Sequence, residues 1–129
     1  MNRILIADSQ FPVRIGLRSL VETALGDCIV DFARNGQELF ALVHQHVYAL
    51  LITDLNMPLA DPAELIPTIL SLQPELKILV FSVNSKTELG LLESGVSGYL
   101  HKEASDQEIM NTIRIVYNSD GYTNNNKEP

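Results

Sequence analysis

Ala49-Leu50-Leu51-Ile52-Thr53-Asp54-Leu55-Asn56-Met57-Pro58 is the stretch that decides how this chain folds. A short apolar run stops at a carboxylate, and Pro58 stiffens the loop that follows. Such a run has the pattern of a strand buried on both faces of a parallel sheet. A carboxylate at its carboxyl end is placed for chemistry and not for packing. Three other runs end in polar groups: Arg3–Ala7 at Asp8, Lys77–Phe81 at Ser82, and Gly98–His101 at Lys102. Two acids, a hydroxyl and an amine on four strand ends describe one site. They meet only if the strands lie parallel in one sheet.

The segments between show the helical period. Val13, Leu17, Leu20, Val21 and Ala24 recur at helical spacing, and Gly26 supplies a stop. A further β-like run covers Ile29–Ala33. Asn35-Gly36-Gln37-Glu38 opens a second helix, striped by Leu39, Leu42 and Val43. Asp61-Pro62-Ala63-Glu64 starts a third, with Pro62 at the first helical position. Pro67 conflicts with that start, because proline inside a helix costs ~3 kcal/mol, so the helix either kinks or begins later. Ser85-Lys86-Thr87-Glu88 and Ser105-Asp106-Gln107-Glu108 open two more, the last burying Ile109, Ile113 and Val116.

Alternation of this kind predicts an α/β fold: five parallel strands in a doubly wound sheet with right-handed crossovers. The functional crevice of such a sheet lies beyond the carboxyl ends of its strands. Residues 1–118 form the expected domain, and the polar residues 119–129 a tail or linker.

The 129 residues suit one domain that folds without disulfide or metal. Apolar residues make up 46% and charged residues 19%, a globular mixture. No stretch reaches the roughly 20 apolar residues of a membrane span, and the N-terminus lacks a signal-peptide layout, so a cytoplasmic protein is expected. The single cysteine, Cys28, fits a reducing compartment and reads as a small buried hydrophobe. A net charge of −7 argues against this chain itself gripping nucleic acid. His44 and His46 point apart on a helix, which argues against a metal pair, and His101 is expected to be exposed.

Asp54 reads as the nucleophile or anion centre. Asp8 on the neighbouring strand is close enough to share a divalent cation such as Mg²⁺, with the Asn56 backbone carbonyl as a third oxygen. Lys102 brings a compact positive charge for a phosphoryl oxygen, and Ser82 a hydroxyl donor. Together they suit transfer of a phosphoryl group to a carboxylate. Taken singly, Asp8 also reads as a helix cap and Lys102 as a surface salt bridge.

From residue 3 to about 118 the chain resembles the receiver domain of two-component response regulators. The resemblance rests on Ile4-Leu5-Ile6-Ala7-Asp8, on Leu51 to Pro58, on Ile78-Leu79-Val80-Phe81-Ser82, and on Gly95-Val96-Ser97-Gly98-Tyr99-Leu100-His101-Lys102. Asp-Leu-Asn-Met-Pro and Gly-Tyr-Leu-x-Lys look most like the NarL/FixJ group, in which a DNA-binding domain usually follows the receiver. The resemblance implies a CheY-like, flavodoxin-like sheet in the order 2-1-3-4-5. It also implies that Asp54 accepts a phosphoryl group from a histidine kinase or phosphotransfer protein. Ser82 and Tyr99 would be the switch residues, Lys102 the phosphoryl partner, and Mg²⁺ the cofactor. A homodimer through the last two helices is a further implication, with DNA reached only through an output domain absent here.

The chain departs from that pattern at three places. Asp8-Ser9 replaces two adjacent acids, which weakens the metal site roughly 10–100-fold and leaves Ser9 to cap the first helix. Val83 follows the switch hydroxyl, where a branched side chain crowds the path to Asp54. The loop after Pro58 lacks its usual glycine. The alternative reading is therefore a degenerate receiver that signals by partner binding alone, with Asp54 and Lys102 held as an ion pair. A haloacid dehalogenase-type phosphatase would need an acid where Asn56 stands.

Overall fold

The structure is a computed structural model that describes residues 1–83 and 95–119. Its elements are β1 (Arg3–Ala7), α1 (Phe11–Leu25), β2 (Ile29–Ala33), α2 (Gly36–Gln45), β3 (Leu50–Thr53), α3 (Pro62–Leu72), β4 (Lys77–Ser82), β5 (Gly98–His101) and α4 (Asp106–Asn118). The strands form one parallel sheet in the order β2-β1-β3-β4-β5. The expected fold and strand order are what the chain adopts. The expected helix start at Ser85 to Glu88 lies outside the described residues.

Burial explains why these segments became strands. Ile4, Leu5 and Ile6 in β1, Leu50 and Leu51 in β3, and Ile78, Leu79 and Val80 in β4 are fully enclosed. Alternate residues feed two cores. Leu5, Leu51, Ile78 and Val80 face the side of Leu39, Val43, Ile66 and Ile69, while Ile4, Ile6, Ile52 and Leu79 face Leu17, Val21, Ile109 and Ile113. β2 is one edge of the sheet, and its first residue, Ile29, is exposed. β3 begins one residue later than the apolar run, although Ala49 N–H still donates to the Arg3 carbonyl at 2.8 Å.

Helix starts follow local chemistry. Asn35, Asp61 and Ser105 cap α2, α3 and α4 by accepting backbone N–H bonds from Glu38, Ala63 and Glu108. Glu38 returns a bond to the Arg34 N–H at 2.8 Å, one residue before the cap. Ser9 does not cap α1: the helix begins at Phe11, its N-cap is Gln10, and no side chain bonds its first turn. The Gln10 N–H is taken instead by Asp8 Oδ1 at 2.9 Å, which carries the chain one residue further before it turns. α3 starts at Pro62 and runs through Pro67. Cys28 and His101 are half-buried, so the cysteine is less enclosed than expected and the histidine more. Burial and the nearby Glu22 and Asp27 raise the Cys28 thiol above its ordinary pKa. Among the described residues, no helix is long and apolar enough to cross a membrane.

Candidate functional site

Three of the strand-end groups are fixed by one more rung of the ladder beyond their strands. Asp8 N–H donates to Ala33 O at 3.0 Å, Asp54 N–H to Ala7 O at 2.9 Å, and Lys102 N–H to Ser82 O at 3.1 Å. The sheet therefore sets where each side chain emerges. Lys102 Nζ lies 2.7 Å from Asp8 Oδ2 and 2.9 Å from Asp54 Oδ2. Both carboxylates are nearly enclosed, and the amine is 18% exposed. Low local polarity strengthens such a pairing. Burial pulls the Lys102 ammonium down, but hydrogen bonds and charge from Asp8 and Asp54 outweigh it, and its pKa is raised. The ammonium also stands 5.8 Å from the centre of the Phe81 ring.

The remaining oxygens are occupied as well. Asp54 Oδ1 accepts the Asn56 N–H at 3.1 Å, a short turn that ties the start of the loop to the carboxylate. Thr53 Oγ1 donates to the Asp54 carbonyl at 2.8 Å. Asp8, Asp54 and Lys102 thus meet, as the strand ends predict, and Asn56 joins them through its backbone. Ser82 is fully buried at the end of β4, next to Lys102 across the sheet edge of the site. Tyr99 pairs with Val80 in register and packs, half-buried, against the core on the α2–α3 side. Val83 is 58% exposed, so most of its surface faces solvent.

Two residues of the site were not legible beforehand. Arg14 is buried in α1 and donates Nη1 to the Asp8 carbonyl at 2.8 Å, bracing the acid from behind. Its signal was the spacing Arg14, Leu17, Val21, the three buried positions of α1, which puts a cation on the apolar stripe. Gly36 is the other. Its N–H donates to Pro58 O at 3.0 Å, and a β-carbon there would collide with the carbonyls of Leu59 and Ala60. The β3–α3 loop thus rests on the start of α2. Where a glycine was missed in that loop, Leu59 and Ala60 themselves take positive φ, 58° and 87°.

Asp8 and Asp54 offer hard oxygen donors of the kind Mg²⁺ requires, while Asn56, whose carbonyl was the expected third donor, meets Asp54 through its N–H. The donor set is poor in charge: Ser9 is exposed and neutral, and all four carboxylate oxygens already accept from the chain. Among the described residues, no group of three or more His, Cys, Asp or Glu side chains is arranged to hold a metal ion.

Residues 4–114 match the response regulator receiver domain family, and the chain belongs to that family. It is 34% identical over 124 residues to the oxygen regulatory protein NreC of Staphylococcus carnosus, covering 93% of this chain and 57% of that protein. Over 119 residues it is 33% identical to the transcriptional regulatory protein LnrK of Bacillus subtilis, covering 91% and 54%. Among solved structures it is similar to a two-component response regulator of the LuxR family from Aurantimonas sp. SI85-9A1. That similarity has a TM-score of 0.79 at 26% identity, over 89% of this chain and 84% of that one. The chain spans little more than half the length of the curated relatives named.

Proposed function

We propose that this receiver domain accepts a phosphoryl group on Asp54 from a histidine kinase or phosphotransfer protein. The observation that carries the reading is the convergence of Asp54, Asp8 and Lys102 from three strand ends onto one ammonium. One Asp54 oxygen forms the bond to phosphorus as the donor's nitrogen–phosphorus bond breaks. The imidazole nitrogen keeps the electron pair and then takes a proton. Asp8, Asp54 and the Asn56 carbonyl would hold Mg²⁺, which when bound supplies positive charge beside the phosphoryl oxygens.

The chain's own groups do the positioning. Lys102 already touches Asp54 and needs only to follow the new oxygens. Ser82 stands at the next strand end to donate its hydroxyl, and Tyr99 would move with it as the second switch residue. Hydrolysis of the acyl phosphate would be slow, since Asn56 offers no general acid two residues after the nucleophile. Phosphorylation then shifts a two-state equilibrium and remodels the face around β5 and α4. That face would serve a homodimer or an output domain. Residues 1–118 act as the receiver and 119–129 as the linker to a DNA-binding partner domain, in a cytoplasmic regulator of transcription; the relatives' regulatory names and greater length support this.

A second reading has its own support. Lys102 spans both carboxylates and Ser9 contributes no charge, which suits a receiver that signals by partner binding without phosphorylation. Treatment with a small acyl phosphate donor, read by intact mass, separates the two. One phosphoryl adduct, lost in Asp54→Asn, supports acceptance at Asp54; an adduct that survives the substitution refutes it.

A further inference from the structure

A groove of about 430 Å³ runs outside the edge strand β2, between α1 and α2, lined by Arg14, Phe32, Arg34, Glu38, Ala41, Leu42 and Gln45. Small-molecule clefts have roughly this size, about 300–1,000 Å³. Of the groups that line the groove, only Arg14 also reaches the phosphoacceptor site, where it braces Asp8 through the backbone carbonyl. Arg14, only 7% exposed, stands in its wall. No carboxylate among the described residues forms an ion pair with it. Its Nη1 donates to Asp8 O, while its buried Nε has no hydrogen-bond partner among the described residues. The guanidinium lies 5.7 Å from the ring centres of both Phe11 and Phe32. Arg18 approaches the Phe32 ring as well, at 5.6 Å.

Buried charges are normally paired, and a guanidinium left without an anion is costly. Glu38, the one acid lining the groove among the described residues, is already spent: Arg34 grips it with Nη2 at 2.6 Å and Nε at 3.2 Å. A protein of net charge −7 thus sets Arg14 and Arg34 in the wall of one groove and Arg18 against the Phe32 ring beside it. Phe32, Ala41 and Leu42 supply apolar wall in the same groove. We propose that this groove binds a small organic carboxylate, its head paired with Arg14 and its apolar body lying on Phe32, Ala41 and Leu42. A planar guanidinium matches a carboxylate in shape as well as charge. Arg14 is enclosed and Arg34 is already paired with Glu38, so a small acid suits the groove better than an acidic peptide or a polyanion, which would need several exposed cations free of partners.

Benzoate titrated into the ¹⁵N-labelled chain tests this, with benzamide as the neutral molecule of the same shape. Saturable amide shifts at Phe32, Arg34 and Leu42 are expected with benzoate, and binding of benzamide at least about tenfold weaker, as loss of a charged hydrogen bond implies. Arg14→Gln is expected to abolish saturation. Should that variant lose its folded spectrum, Ala41→Glu places a competing carboxylate at an exposed lining position and must abolish it too. Equal binding of benzamide, binding that survives in folded Arg14→Gln or in Ala41→Glu, or no saturable shift at tens of millimolar benzoate each overturns the proposal. A response to an acidic peptide but not to benzoate overturns it as well.

Discussion

Lys102 and Asp8 lie 94 residues apart in the chain and 2.7 Å apart at their charged atoms. That contact exists because β1 and β5 run parallel within one sheet and both end at the same rim. The amine neutralises one of two enclosed carboxylates and leaves the site with one net negative charge, too little to draw a divalent cation strongly.

Removing the amine should expose the repulsion it hides. Lys102→Met is expected to destabilise the domain by roughly 2–4 kcal/mol, discounting the usual cost of breaking a buried pair for the amine's partial exposure. Urea unfolding of Lys102→Met, Asp8→Asn and the double variant would show the effects to be non-additive, because the two share one interaction. Additivity would mean the contact contributes nothing.

The same pairing has a pH signature. The Lys102 pKa is raised in the folded protein above its ordinary 10.5. Its contribution is therefore complete below that value and is lost as pH climbs through the folded pKa. The stability gap between wild type and Lys102→Met should stay level from neutral pH to about pH 9 and narrow above about pH 10.5. A gap that narrows on acidification alone would assign the effect to other groups.

Gly36 and the loop it supports give a paired test. Gly36→Ala forces a β-carbon against the Leu59 and Ala60 carbonyls and should cost about 1–3 kcal/mol, as overpacking does. Ala60→Gly should act in the opposite sense. Positive φ costs an L-residue roughly 1–2 kcal/mol, of which glycine's greater chain entropy takes back about half. Thermal or urea melts decide both, and a destabilised Ala60→Gly would show that the loop is unstrained.

Much of this architecture was readable from the chain. β1, β3 and β4 announce themselves because continuous apolar runs have few uses other than strands covered on both faces. Asp8, Asp54, Ser82 and Lys102 follow, since the residue after such a strand is forced to the rim. Ser9 misled because hydroxyls commonly cap helices; Asp8 Oδ1 captured the Gln10 N–H first and moved the start of α1. Arg14 and Gly36 resisted for another reason: one is defined by the carbonyl it reaches and the other by a loop that rests on it. A backbone carbonyl six residues back leaves no side-chain signature for Arg14, and the loop on Gly36 lies more than 20 residues further along the chain.

Gln73 is another residue whose role is tertiary. Its side-chain amide donates to Val43 O at 2.7 Å and His46 O at 2.8 Å, and accepts the Tyr48 N–H at 2.9 Å. It ties the end of α2, the approach to β3 and the end of α3 together. Gln73→Leu leaves buried backbone groups unserved and should cost about 2–4 kcal/mol in chemical unfolding. An unchanged midpoint would mean that solvent reaches those groups.

The most direct test of the central claim is a Mg²⁺ titration of phosphorylation by an acyl phosphate donor, read by intact mass in wild type and Ser9→Asp. A phosphoryl adduct at Asp54 is expected in both. The half-maximal Mg²⁺ concentration should fall roughly 10–100-fold when the second acid is restored. No adduct in either protein at any Mg²⁺ concentration would contradict phosphoryl acceptance at Asp54 and leave the site as a fixed ionic clamp.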